Sequence, residues 1–538
     1  MEGVFGMTLS LNRTKLNGKN FLVHILKYGF FAEQFPNCFS TKQLVEHVDE
    51  LIPLVSTTKK TGSKAATSPT TLSMFKNDIS RRVLSVPNPE AFIRLSKYID
   101  EHWEEIKRYA HSNNSLSPIT FLYNDYGELE SLINCESIRE SLHVRSDFIK
   151  GIHRSILKSL GFRYRLKVDI TNCYNSMYTH SIAWAICGKE QAKSYLRTKE
   201  PQNIKSDYEI ADTLDCFTRY LKNNETNGII VGPYTSRIIS EIILARIDAL
   251  LEEKGFIFVR YVDDYKFYFR TEAHAQDSLS IIEKVLNEYD LSLNTSKTEI
   301  QKYPYEIIYD IKDQYVKALD NGGVFGVLNM ASQLHAAGEK GAYKYALKYL
   351  RGKDLPEKKE LNIVIPTLIN IMLLDPKYGK YVTEYLIENI DGIDEGGLTR
   401  VFNTELSKSV ESELQQETLL FIQLIRDLNL EIDGDNLLRV INGDNDFATI
   451  IALDLWKNRN RKVIRSKSVA GSIKKAIERL MNSLQGEKLS GARWLLLYEI
   501  MAHKLVSESL MPTIECSEFF RKMLSVKVSF YQSVRNGY

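Results

Sequence analysis

Apolar and polar residues change their spacing along this chain, and the changes divide it. From about residue 162 to 300, short β-branched and aromatic runs alternate with stretches of helical period, as in an α/β or α+β core. Phe256–Tyr261 and Tyr265–Phe269 both read as strands, and neither has a helical period. The polar pair between them must turn, so a β-hairpin with Asp263 and Asp264 at its tip is expected. Upstream, Leu166, Val168 and Ile170 alternate, which predicts a strand whose other face ends at Asp169. A helix is predicted from about Thr235 to Lys254, with Ile238, Ile239, Ile242, Ile243, Ile247, Leu250 and Leu251 as one apolar stripe.

Beyond about residue 305 the texture becomes helical. Ala342–Leu350, Leu361–Leu374, Glu417–Leu430 and Phe447–Trp456 carry apolar residues every three or four positions, separated by short turns. This predicts an all-α region, either stacked antiparallel pairs of HEAT type or, since no period repeats cleanly in sequence, a compact bundle. Before residue 160 the signals are mixed. Ser56–Ser73 is rich in Ser, Thr and Lys and reads as an exposed loop. Lys60-Thr61-Gly62-Ser63-Lys64 lacks the first glycine of a P-loop, so phosphate cradling there is weak. The expected division is 1–160, 161–304 and 305–538.

Composition narrows the classes. With 538 residues, 43% hydrophobic and 26% charged, the chain is long enough for several cores. No apolar run reaches membrane-spanning length, and the first residues lack a basic-then-apolar leader, so a cytoplasmic protein without a membrane partner is expected. The six cysteines form no Cys-x-x-Cys pair and read as reduced thiols, which makes zinc improbable. Net charge is only +2, so phosphate binding must come from local patches such as Lys457–Lys467.

Two neighbouring carboxylates repel each other and raise each other's pKa unless a cation lies between them. With Asp169 brought alongside, the three would form an oxygen site for two Mg²⁺ ions (or Mn²⁺), the arrangement used in phosphoryl transfer. Tyr174 would lie under the sugar of a bound nucleotide and exclude a 2′-hydroxyl. Gly232 leaves room for close approach, Ser236 caps the following helix or contacts the primer–nucleotide region, and Lys297 would reach a triphosphate. Arg139, Arg145, Lys150, Arg154, Arg163 and Arg165 are candidate cations for that triphosphate, with Arg145 and Arg154 foremost. Arg260 would brace the hairpin.

In order, Asp169-(x)4-Tyr174, Gly232-Pro233-(x)2-Ser236, Tyr261-Val262-Asp263-Asp264 and Leu293-Asn294-(x)2-Lys297-Thr298 resemble palm motifs A to D of reverse transcriptases, over roughly residues 140–300. Tyr178–Ala185 with Gly188-Lys189, and Ile238–Leu244, more narrowly resemble the bacterial abortive-infection (Abi) and defence-associated branch. The resemblance implies reverse-transcriptase-like fingers and palm followed by a HEAT-like helical region. It implies an antiviral DNA polymerase using dNTPs, with Asp169, Asp263, Asp264 and the Ile170 carbonyl as metal ligands. Single-stranded DNA would be the product and a homo-oligomer, trimer or hexamer, the assembly. Val231 stands where a glutamine is usual, and Glu241 where intron enzymes often have asparagine, so ordinary primer–template handling is in doubt. The branch implies template-free synthesis primed from a tyrosine, for which Tyr28 and Tyr538 are candidates. The competing expectations are synthesis templated on a noncoding RNA and an idle oligomeric scaffold or phage sensor.

Overall fold

The computed structural model describes residues 18–59, 65–77, 79–116, 121–123, 129–132, 151, 153–305, 311–339, 341–350, 358–389, 394–458 and 467–533. The helix Gly18–Tyr28 is followed by an antiparallel hairpin of β1 (Thr70–Asn77) and β2 (Ser80–Val86). This corrects the expected loop: Thr70–Ser73 belongs to a strand, and Thr70 is buried. Its Ser and Thr content hid an alternating pattern in which Leu72 and Met74 point inward. Next comes the helix Pro89–Glu101. Asn88 caps it by accepting from the Glu90 and Ala91 N–H groups, and Pro89 occupies the first turn, where no N–H is needed. A short pair, β3 (Phe121–Tyr123) and β4 (Leu129–Leu132), follows.

The central sheet is built from β5 (Tyr164–Asp169), β6 (Phe258–Tyr261), β7 (Asp264–Phe269) and β8 (Glu299–Lys302), in the order β6-β7-β5-β8. All neighbours are antiparallel. The helix Glu272–Asn287 packs on β5 and β7 and against the helix Tyr234–Glu253. Tyr234–Glu253 agrees with the predicted helix in place but not in character. Its isoleucines are buried as expected, yet Ser236, Ser240, Glu241 and Asp248 are buried too. A helix covered all round must place its acids beside cations, and this one does so against β6.

After β8 the described residues form no named strand; helices run from Ile311–Ala336 to Glu518–Ser525. The first is broken at Gly322 and Gly323, whose backbone angles are not helical. The helical half docks on the β1–β2 hairpin. Side chains of Gln415 and Gln416 accept from the Ser73 and Phe75 N–H groups at 2.7 Å, covering an edge that would otherwise be unpaired. Arg81 forms a two-pronged ion pair with Glu417 at 2.6 and 2.9 Å. Phe30 stacks on Phe530 with ring centroids 5.3 Å apart, joining the two ends of the chain in one apolar core. Cys38, Cys173 and Cys187 are buried free thiols. Among the described residues no helix is long and apolar enough to cross a membrane.

Candidate active site

β5 and β7 bring the first and last of the predicted carboxylates together by register alone. Asp169 pairs directly with Asp264, and Val168 with Tyr265. Residues directly opposite on antiparallel strands point to one face, with Cα atoms about 4.5–5.5 Å apart. Tyr261 pairs with Asp264 across the hairpin, leaving Val262 and Asp263 as a two-residue turn. Val262 has φ of +58°, a left-handed conformation that a β-branched residue adopts at a cost. The Asp263 carbonyl accepts from the Ile170 N–H at 3.4 Å, so the turn also touches the end of β5.

The electrostatics follow from this crowding. Burial pushes the Asp264 carboxyl up to about 6, assisted by the charge of Asp263 and a shared hydrogen bond with Asp169. Burial and then Asp169 raise Asp263 as well, against smaller lowering influences from Lys297 and Arg82. Asp169 is held from the other side. Lys297 Nζ lies 3.0 Å from both of its oxygens, and Asn294 Nδ2 donates to Oδ2 at 2.9 Å. The Asn294 N–H donates to the Asp169 carbonyl at 2.8 Å, so the loop after Leu293 is fixed to the end of β5.

Among the described residues, no three acidic, histidine or cysteine side chains close into a ready-made metal cage. The oxygens of Asp169 are instead engaged by Lys297 and Asn294. This is compatible with Mg²⁺, which usually binds one or two carboxylates plus substrate phosphates and water rather than a complete protein cage. The donor set is oxygen only and carries more negative charge than Lys297 alone can balance. A hard divalent cation fits it.

The remaining predicted residues separate. Tyr174 is half-buried, its hydroxyl 3.4 Å from Ser240 Oγ, and burial raises its pKa against the nearby charge of Arg237. Gly232 has φ of +132°, and a Cβ there would lie 2.9 Å from the Ser85 carbonyl. The close approach it permits is therefore made by β2, whose Ser85 N–H also donates to the Val231 carbonyl at 2.8 Å. Ser236 is buried in the first turn of its helix. Arg154 donates to the carbonyls of Asn113 and Ser115, and Ser115 bridges to Arg260 on β6, the edge of the sheet farther from Asp169. Arg165 is buried on Gln301 and the Tyr305 ring, while Arg163 is exposed. Tyr28 ends the first helix with Lys27 over its ring. Arg139, Arg145, Lys150, Tyr538, Lys60–Lys64 and 459–466 of the basic patch lie outside the described residues.

Two residues had no role assigned from the sequence, although Asn294 stood in the Leu293–Thr298 motif. Arg82, exposed on β2, is near enough to Asp263 for its charge to act there. Asn294 is the second partner of Asp169. Recognising the β1–β2 hairpin would have found Arg82; for Asn294 only its place beside Lys297 was a signal.

Residues 111–319 match the family model described as reverse transcriptase (RNA-dependent DNA polymerase), a span that contains all four palm-like motifs. That region is similar to a reverse transcriptase domain, which is a nucleotidyltransferase domain. No curated protein matches the chain. Among solved structures, telomerase from Candida albicans, determined in complex with a fragment of telomeric RNA, is similar at 10% identity. That alignment covers 65% of this chain and 66% of the other, with a TM-score of 0.27.

Proposed function

We propose that the protein is a DNA polymerase that joins deoxynucleotides at Asp169, Asp263 and Asp264. The observation that carries this reading is the β5–β7 register, which sets Asp169 opposite Asp264 with Asp263 one residue away in the turn. Bound divalent ions would supply charge neutralisation of the triphosphate and activation of the attacking hydroxyl. Asp169, Asp263, Asp264 and the Ile170 carbonyl would hold them. In the reaction a hydroxyl releases its proton to solvent as its oxygen bonds to the α-phosphorus of a dNTP, and the bond from that phosphorus to the bridging oxygen breaks to release pyrophosphate. Lys297, already beside Asp169, would move its charge to the triphosphate as the carboxylate turns to the ion. Arg82 would approach the same phosphates from β2. Tyr174 would bound the sugar, while Gly232 and Ser236 would shape that wall from behind rather than touch the nucleotide.

The narrower role we propose is antiviral defence by template-independent, protein-primed synthesis, with the helical half, in HEAT-like pairs, supporting the single-stranded product and a homo-oligomer. The stretches Tyr178–Ala185 and Ile238–Leu244 support it by resemblance. A second reading, synthesis on an RNA template, draws support from the matched family's description as RNA-dependent. Purified, nuclease-treated protein should incorporate labelled dNTPs with Mg²⁺ and no added RNA. Incorporation only on restoring RNA would favour the second reading. Label that stays on the polypeptide after denaturation would identify self-priming, and peptide mapping would decide between Tyr28 and Tyr538.

A further inference from the structure

Arg260 precedes the Tyr261 of the hairpin and is wholly buried. Its Nε lies 2.9 Å from both oxygens of Asp248, and Nη2 reaches Asp248 at 2.7 Å and Glu241 at 2.8 Å. Nη1 bonds Glu241 at 3.2 Å and, at 2.9 Å, the carbonyl of Val262. The main chain of Arg260 is held as well, donating to the Asn114 carbonyl at 2.8 Å and accepting from the Leu116 N–H at 2.7 Å. Ser112 Oγ donates to Asp248 at 2.5 Å, and Arg237 lies 3.7 Å from Glu241.

With Arg237 present, two acids face two guanidinium groups, so the bond to Val262 is not required for charge balance. It is directional, and it falls on the one carbonyl whose orientation sets the turn. A left-handed β-branched residue relaxes unless something holds it. The Val262 peptide, once turned, fixes the direction from which Asp263 leaves the chain. We propose that Arg260 is a positioning residue: by gripping the Val262 carbonyl it aims Asp263 toward Asp169 and Asp264, which strand register already sets opposite each other. The proposal rests on the polymerase reading of those three acids.

Arg260→Lys keeps a cation between the acids but has no planar fork to hold both of them and a carbonyl. Losing a partner behind the metal-binding groups typically costs about 10- to 100-fold in activity or metal affinity. Turnover of dNTP should fall by that factor while the half-saturating dNTP concentration stays within about twofold, since the hold acts on geometry and not on nucleotide contact. Mn²⁺ binding to nucleotide-free protein, read by electron paramagnetic resonance, should weaken roughly tenfold. Oligonucleotide binding should not change. Val262→Gly, which reaches positive φ freely, should restore part of the lost turnover in the Arg260→Lys background. Asp248→Asn is the milder variant should the lysine protein not fold, with a smaller loss of the same kind expected. Wild-type turnover and Mn²⁺ affinity in Arg260→Lys would overturn the proposal. So would a parallel fall in turnover, oligonucleotide binding and unfolding temperature that Val262→Gly leaves uncorrected. A wild-type protein inert toward dNTPs would sink the polymerase reading instead, and the Mn²⁺ titration would still decide the role of Arg260.

Discussion

Two groups of acids flank the β6–β7 hairpin, and the fold treats them in opposite ways. Glu241 and Asp248 are wholly buried and gripped by Arg260, with Arg237 beside Glu241. Burial works against charge on Arg260, but Asp248 and Glu241 outweigh it and hold the guanidinium firmly protonated. Asp169, Asp263 and Asp264 lie at the end of the same strands with Lys297 as their close cation, itself 56% exposed. Asp263 and Asp264 are left with raised pKa values, but burial raises Asp248 too despite Arg260, so the contrast lies in the fixed partner and not in the direction of the shift. A carboxylate needed for structure receives a fixed, buried partner. One needed for a transient cation is kept crowded, partly solvated and short of positive charge.

The largest effect should come from emptying the second group. Asp263→Ala with Asp264→Ala should lower dNTP incorporation roughly a thousandfold or more, given what loss of a single transition-state contact costs. The unfolding temperature should stay level or rise, because two repelling charges are gone. A folded double variant with near-normal incorporation would end the polymerase reading. The first group should respond in the reverse sense. Asp248→Ala leaves Arg260 short of a partner in the interior and should cost about 3–5 kcal/mol in urea unfolding.

The difference between the groups also explains what could be read in advance. The hairpin and Asp169 were legible because strand-forming residues surround polar ones that have no business in a core. Pairing of Asp169 with Asp264 then needs nothing beyond strand register. The isoleucine stripe accounts for only one side of the helix and says nothing of Glu241 and Asp248. Their partner comes from another element, and no periodicity encodes it. The β1–β2 hairpin was hidden for a related reason: its edge is completed by Gln415 and Gln416 from the far end of the chain, so its own residues need not be strongly apolar. The break at Gly322-Gly323 lay in plain view as a glycine pair within the helical region.

A smaller effect tests whether Gly232 serves packing or nucleotide. Gly232→Ala meets both a φ of +132° and the Ser85 carbonyl at 2.9 Å, and should destabilise the fold by about 1–3 kcal/mol. If the glycine chiefly admits β2, stability falls in thermal unfolding and the half-saturating dNTP concentration moves little. A large rise in that concentration with unchanged stability would return Gly232 to the nucleotide wall.

The smallest effect is the pH dependence that the crowded acids impose. Asp264, ordinarily near 3.8, is pushed up to about 6 by burial and its neighbours, so between those values the folded protein keeps a proton that the unfolded chain has released. Raising pH through that window therefore favours unfolding. Without divalent ions, stability should decline from about pH 4 to 6 and then level off in this contribution. Asp100, raised to about 7 by burial, adds a slope of the same sign. The informative quantity is thus the difference between wild type and Asp264→Asn, which should isolate the step at Asp264. Saturating Mg²⁺ should flatten that difference by favouring the ionised carboxylates, whereas the buried Glu241–Arg260–Asp248 cluster, matched in charge once Arg237 is counted, should be indifferent to the ion. If Mg²⁺ left the pH dependence of both proteins unchanged, the carboxylates would not be binding it, and the contrast between the two acid groups would lose its functional meaning.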